Sequence, residues 1–326
     1  MKKIIAVVCG GDSSEHDVSL RSGEGVYSFF DKELYEVYIV VMNKMSWQVK
    51  TDEGNIDIDK NDFSFTLHSR HIKFNYAYIT IHGTPGENGL LQGYLDMVGV
   101  PYSTSNVLVE ALTFNKFACN QFLRTFGVSV ADSVLIHKAD IPNIQYQDIV
   151  QQLGLPVFVK PATEGSSFGV TKVNTLEELP AAIDRAAALS KEVMVETFLQ
   201  GTEVTCGCYK THTKDVVLPV TEVVTFNEFF DYDAKYNGQV SEITPARISD
   251  ELFERVQRIT GMIYDVLHCN GIIRIDYIIS PEGKIFMLEV NTTPGMTATS
   301  FIPQQVKAAG MDMSTVLTDI VENQFQ

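Results

Sequence analysis

Residues 271–279 and 284–291 are two apolar runs on either side of Ser280-Pro281-Glu282-Gly283, and together they predict an antiparallel β-hairpin. Side chains alternate faces along a strand, so Arg274, Asp276 and Ile278 share one face of the first run. A register set by the four-residue turn puts position 274 opposite 289 and 276 opposite 287. Asp276 then lies diagonally beside Glu289, with Asn291 further along the same face. Two carboxylates and an amide oxygen converge at one end of a hydrophobic ribbon. Like charges are costly there unless a cation compensates them. Oxygen donors with few protein carboxylates favour Mg²⁺ completed by phosphate oxygens. The competing reading is a structural network in which Arg274 neutralises both acids.

Upstream, strands are predicted at 3–9, 35–42 and 76–82, with a helix over 14–30 and a shorter one over 90–98. Ser14 and Asp17 have capping-box spacing at the start of the first helix. Strands alternating with helices predict a parallel α/β domain whose ligands bind at the carboxyl ends of the strands. Glu15 and His82 both lie at such ends. A second unit reads as helix 106–126, strand 133–136, helix 144–153, strand 157–161, a Gly/Ser loop and helix 176–189. From 192 onward, strands near 193–196, 204–209 and 216–220 precede the hairpin. A polar loop at 225–245 is long enough to expect a functional role. The chain is therefore divided into 1–104, 105–191 and 192–326, an ordinary partition for 326 residues.

Composition removes several function classes. Lys plus Arg number 25 against 41 Asp plus Glu, a formal charge of −16. Such a surface repels nucleic acid and anionic membranes, and neither is expected as a partner. Cys9, Cys119, Cys206, Cys208 and Cys269 show neither zinc spacing nor a disulfide framework, as expected in a reducing compartment. The apolar run at the start ends at Cys9, too short for a secretory leader, and no segment approaches the roughly 18 apolar residues of a membrane span. A cytoplasmic location follows as the expectation.

There is no Walker A sequence and no G-x-G-x-x-G after a strand. In their place stands Lys160-Pro161-Ala162-Thr163-Glu164-Gly165-Ser166-Ser167-Phe168-Gly169, a lysine at a strand end followed by a loop whose N–H groups can close over phosphate oxygens. Lys116 sits in an apolar Phe114-Asn115-Lys116-Phe117 context. Glu196-Thr197-Phe198-Leu199 follows a strand and can offer backbone groups to an adenine edge, while Glu203 can reach ribose hydroxyls.

Taken in order, Lys116, the 160–169 loop, Glu196 to Leu199, Glu203, Arg274 with Asp276, and Glu289-Val290-Asn291-Thr292-Thr293-Pro294-Gly295-Met296 resemble the ATP-grasp superfamily. Gly10-Gly11-Asp12-Ser13-Ser14-Glu15-His16-Asp17-Val18-Ser19, His82-Gly83, Glu164-Gly165-Ser166-Ser167 and Tyr232-Asp233-Ala234-Lys235-Tyr236 narrow the resemblance to the D-alanine–D-alanine ligase family. That resemblance implies an α/β (α+β) ATP-grasp fold with an N-terminal parallel α/β domain, a small central domain and a C-terminal mixed-sheet domain. It implies ATP as co-substrate, two Mg²⁺ or Mn²⁺ ions, two D-alanines and a homodimer. In the family the first D-alanine carboxylate attacks the γ-phosphate, and the amine of the second D-alanine then attacks the acyl phosphate.

The resemblance assigns Lys116 and Lys160 to ATP phosphates and Lys235 to the γ-phosphate. Glu203 goes to ribose, and Glu196, Phe198 and Leu199 to adenine. Asp276, Glu289 and Asn291 hold the metal. Glu15 takes the first ammonium, Ser166 and Tyr236 hydrogen-bond at that end, and His82 lies near the first carboxylate. Arg274 and the Gly295 N–H face the oxyanion, and Ser300 with the Phe301 backbone faces the second carboxylate. In the loop after His82, Thr84-Pro85-Gly86-Glu87-Asn88-Gly89 departs from the Gly-rich versions of relatives. The rival readings are a D-alanine–D-lactate ligase, a catalytically silent nucleotide-binding protein, and a different ATP-dependent carboxylate–amine ligase.

Overall fold

A computed structural model describes residues 2–165, 168–225 and 240–325, with only the backbone of Thr225 and Val240. The first strand, β1 (Lys3–Gly10), is apolar on both faces and buried almost throughout, as a central strand requires. It pairs in parallel with β2 (Tyr35–Asn43) and, later in the chain, with Tyr76–Ile79. The helix α1 (His16–Phe29) follows β1, but no side-chain hydrogen bond caps it, so the Ser14–Asp17 capping box is not formed. β3 (Ser46–Thr51) and β4 (Gly54–Asp57) fold back antiparallel, giving a mixed sheet in the order β4-β3-β2-β1 and then Tyr76–Ile79, where an all-parallel sheet was expected. Pleat and polarity alone do not tell a solvent-facing edge strand from a loop.

The helix expected over 106–126 is two, Val107–Phe114 and Lys116–Arg124. Asn115 separates them. Its Oδ1 accepts from the Ala118 N–H at 3.0 Å, the local bond that makes Asn a helix starter. Lys116 thereby becomes the first residue of a helix. Both helices pack on the C-terminal sheet: Val109, Cys119 and Leu123 share a core with Ile273, Ile275 and Met287.

A four-stranded sheet in the middle of the chain has the order Thr171–Val173, Val157–Pro161, Glu192–Thr197 and Ser133–His137. The boundary expected between 191 and 192 therefore cuts through this sheet, because Glu192–Thr197 pairs with Val157–Pro161 on one side and Ser133–His137 on the other. The third large sheet runs Val240–Ile243, Thr221–Thr225, Thr202–Lys210, Ile272–Ile279 and Ile285–Asn291, with Asp215–Val217 paired to Thr202–Lys210. Cys206 and Cys208 are fully buried in its core. All five cysteines are free thiols. The helices Phe301–Ala308 and Met313–Asn323 then return to the N-terminal sheet, where Val316, Leu317 and Ile320 pack with Ile5, Val7 and Tyr76. Lys3 and Tyr35 both bond Glu322 of the last helix, at 2.5 and 2.8 Å. Among the described residues no helix is long and apolar enough to cross a membrane.

Candidate active site

The predicted hairpin forms, and its register differs from expectation at the point that matters. From the turn to Tyr277 the pairs are Ile279 with Ile285, Ile278 with Phe286 and Tyr277 with Met287; the register then shifts, and Asp276 faces Glu289 and Arg274 faces Asn291. Leu288 is the extra residue of a β-bulge. A bulge puts two residues opposite one and re-aims the side chains beyond it. Asp276 and Glu289 are thus directly opposed, not diagonal. On the other side of Asp276 lies Thr205, and beside Arg274 lies Gly207. A side chain at Gly207 would run into Ile302, Gln305 and Leu218, so glycine is what lets helix Phe301–Ala308 approach the sheet.

Arg274 Nε and Nη2 donate to the two oxygens of Asp276, each at 2.9 Å, a bidentate pair that is nearly buried. Thr205 Oγ1 donates to Asp276 Oδ1 at 2.6 Å and Asn291 Nδ2 to Oδ2 at 3.1 Å. Asp276 pushes the Arg274 guanidinium up against the opposing effect of burial, so it is permanently charged. The guanidinium lies 5.2 Å from the centre of the Phe301 ring. Beyond Asn291, Thr292 Oγ1 donates to Glu110 at 2.5 Å and Thr293 Oγ1 to the Ile81 carbonyl at 3.2 Å. Those two bonds tie the end of the hairpin to the first helix after the N-terminal domain and to the strand end before His82.

Two clefts open on this floor. One, of about 560 Å³, is lined by Phe158, Lys160, Glu196, Phe198, Leu199 and Glu203 together with Asp276. Lys160 Nζ pairs with Glu196 at 2.6 Å across neighbouring strands, both side chains nearly buried. Phe158 and Phe198 pack on each other, their ring centres 5.8 Å apart and tilted, and give this cleft an apolar aromatic wall between its polar ends. The other, of about 590 Å³, is lined by Glu15, His82, Arg274, Gly295 and Ser300, with Asn291 on its floor. The clefts share Lys116, Glu164 and Glu289. Lys116 Nζ is 3.3 Å from Glu289 and donates to the Glu164 carbonyl at 2.7 Å. Burial alone would pull this ammonium down, but Glu289 outweighs it and the net direction is up. The junction of the two clefts therefore carries a fixed positive charge.

In the second cleft Glu15 packs so closely on Gly165 that a side chain there would overlap its carboxylate. His82 is buried, with Nε2 3.2 Å from Ser22 Oγ. Ser300 Oγ lies 2.8 Å from Thr297 Oγ1, and Ser300 is the N-cap residue of helix Phe301–Ala308. The structure therefore brings together Glu15, His82, Arg274, Gly295 and Ser300 in one cleft and Lys160, Glu196, Phe198, Leu199 and Glu203 in the other, with Lys116 and the Asp276–Glu289–Asn291 set between them. Ser166, Tyr232, Lys235 and Tyr236 lie outside the described residues, as does the centre of the 225–245 loop.

Four polar residues of the site escaped sequence reading. Thr205 reaches Asp276 through a strand register that alternation does not specify. Glu87 lines the second cleft and accepts the Gly83 N–H at 2.6 Å; burial pushes its carboxyl up, with the neighbouring His82 opposing. Its place in the loop after His82 was the one available signal. Glu242 and Gln304 line the same cleft from segments that meet only in the folded chain.

Residues 4–105 match the family model described as the D-ala D-ala ligase N-terminus, and residues 122–322 match that of the D-ala D-ala ligase C-terminus. The chain belongs to the D-alanine–D-alanine ligase family. It is 59% identical to the D-alanine–D-alanine ligase of Bacteroides fragilis over 326 residues, covering all of both chains. It is 54% identical to that of Porphyromonas gingivalis, covering 99% of this chain and 98% of that one. Among solved structures, the VanG D-Ala:D-Ser ligase from Enterococcus faecalis superposes with a TM-score of 0.88 at 31% identity, covering 99% of each chain. The Bacillus anthracis D-alanine–D-alanine ligase complexed with ATP gives 0.79 at 28%, covering 99% of this chain and 97% of that one. The mixed α/β architecture is that of ATP-grasp ligases.

The donors on the hairpin fit a hard divalent cation. They are oxygens only, two of them carboxylates opposed across adjacent strands at the junction of the clefts. Among the described residues no three His, Cys, Asp or Glu side chains gather into an all-protein cage, which suits an ion that takes its remaining ligands from phosphate and water. Asn291 turns Nδ2 toward Asp276, so its oxygen reaches a cation once the amide is turned over.

Proposed function

We propose that the Lys160–Phe198 cleft takes ATP and the Glu15–Ser300 cleft takes two D-alanines, so that the chain makes D-alanyl-D-alanine through an acyl phosphate. The observation that carries this reading is the meeting of the two clefts at Lys116, Glu164 and Glu289. A nucleotide with its base at Phe198 points its phosphates toward that junction, where the first D-alanine carboxylate must attack. Two anions approach each other there, and cations must lower the cost. Lys116 and Lys160 supply positive charge from the protein, and Lys235 joins them by its motif. Mg²⁺ or Mn²⁺, two ions held by Asp276, Glu289 and Asn291, would neutralise the phosphate oxygens further.

Glu203 receives the ribose, while Glu196, Phe198 and Leu199 surround adenine. Glu15 holds the first ammonium with Ser166 and Tyr236, and His82 lies near the first carboxylate. Arg274, whose position is fixed by its two bonds to Asp276, and the Gly295 N–H face the oxyanion that forms when the second amine attacks. Ser300 and the Phe301 N–H receive the second carboxylate. The reading also places the reaction in the cytoplasm, in a homodimer, in the supply of peptidoglycan precursors. Likeness to the VanG D-Ala:D-Ser ligase supports a second reading in which D-serine is accepted at the second position.

The test is ADP release by the purified protein with ATP, Mg²⁺ and D-alanine, with products identified by mass, and with D-serine or D-lactate in competition. Dipeptide from D-alanine and none from the L-isomer is the expected result. Product dominated by D-alanyl-D-serine or by depsipeptide moves the assignment to those branches, and ATP binding without product overturns it.

A further inference from the structure

We propose that Glu242 is the carboxylate that receives the ammonium of the second D-amino acid, with Gln304 as its positioning residue; the inference rests on the two-substrate reading above. Glu242 is on the edge strand Val240–Ile243, opposite Val223, and its side chain lines the amino-acid cleft. The same wall carries Thr299, Ser300, Phe301 and Gln304. Gln304 Nε2 donates both to Glu242 Oε2 and to the Thr299 carbonyl, at 2.5 and 2.7 Å. Two acceptors on one amide fix its plane, and the carboxylate it holds is fixed with it. Ser300 is the N-cap of the helix that carries Gln304 one turn later, so the carboxylate end and the ammonium end of one amino acid have their partners side by side.

Of the other acids of the cleft, Glu289 is paired with Lys116, Glu87 accepts the Gly83 N–H, Glu15 packs on Gly165 at the opposite end, and Glu164 lies at the junction with the nucleotide cleft. Glu242 is held by a neutral amide. Burial pushes its carboxyl up; the Gln304 amide opposes that, and Arg274 does so only through space, because both guanidinium bonds go to Asp276. A negative charge so held, partly desolvated and with no cation in contact among the described residues, is the counter-charge an ammonium seeks and a hydroxyl does not need. This gives the second position a preference for amino acids over hydroxy acids of the same shape.

Glu242→Gln removes the charge and keeps the shape. Loss of a charge-assisted bond predicts a rise of about tenfold in KM for the second D-alanine, with KM for ATP and for the first D-alanine within about twofold of wild type. With D-alanine and D-lactate in competition, the share of depsipeptide rises. Gln304→Leu, which frees Glu242 without removing it, shifts both readouts in the same direction by less. Thermal unfolding with a non-hydrolysable ATP analogue shows that the nucleotide site is intact in both variants. An unchanged second-site KM and product ratio overturn the inference, as does an equal rise in all three KM values. A wild-type protein that forms no D-alanyl product overturns the two-substrate reading and this inference with it; wild-type dipeptide beside an unaltered Glu242→Gln overturns the inference alone.

Discussion

Glu110 has no accessible surface, yet it joins three parts of the chain. Its oxygens accept from the Ser105 N–H at 2.9 Å and from Thr292 at 2.5 Å, and burial raises its carboxyl well above the ordinary value near 4.5. An acid raised on folding binds more protons in the native state than in the unfolded one. Its contribution to stability is therefore fully present below the unfolded pKa and is lost as pH climbs toward the folded one. Glu110→Gln removes that dependence, so the variant should gain on wild type as pH rises above about 4.5. Urea unfolding of both proteins at pH 6 and pH 8.5 checks it; a gap that does not change with pH refutes the assignment. Glu110 itself could not be singled out beforehand, because a glutamate on a predicted helix reads as solvated. Asp276, Glu289 and Asn291 were legible for the opposite reason. Acids inside an apolar, alternating strand have no solvent to face and so announce a partner.

The hairpin was readable from its two apolar runs and its turn, and its bulge was not. Leu288 is apolar like Phe286 and Met287 before it, and nothing in its side chain marks the residue left without a partner. Asn115 is the reverse case, a capping residue hidden in a pattern that looked continuous. Its side chain starts the helix that presents Lys116, and its Nδ2 donates to Glu192 at 2.7 Å. Asn115→Ala should cost about 1 kcal/mol in stability. It should also raise KM for ATP more than KM for D-alanine, since the lysine at the cleft junction loses its anchored first turn. Denaturant unfolding with separate KM measurements decides this, and an unaltered ATP KM would show that Lys116 is placed by its ion pair alone.

The last two helices tie the end of the chain into the core of the N-terminal sheet. Leu317, fully buried, lies in a core with Ile5, Val7 and Tyr76 from the opposite end of the chain. Leu317→Ala should cost about 2–5 kcal/mol through the cavity it leaves. Trp47, the only tryptophan, packs on the other face of the N-terminal sheet and reports whether that loss is shared. Its fluorescence midpoint in urea should move together with the far-ultraviolet dichroism. A Trp47 midpoint that stays in place would show that the two ends unfold separately.

By itself the chain determined its class of chemistry. Acids and an amide on an apolar hairpin, a lysine at a strand end and the Gly/Ser loop that follows it are local patterns, set by residue type and short spacings. Their order resembles the ATP-grasp superfamily, and that resemblance implied its architecture. Folding decided what depends on distance between remote segments: the bulge that sets Asp276 against Glu289, the strand Glu192–Thr197 drawn into the central sheet, and the junction where Lys116 joins two clefts. Glu87, Thr205, Glu242 and Gln304 belong to the site for the same reason. Each has a face and a neighbour only after strand register and helix packing are chosen, and those choices depend on the burial of whole surfaces, which no local spacing encodes.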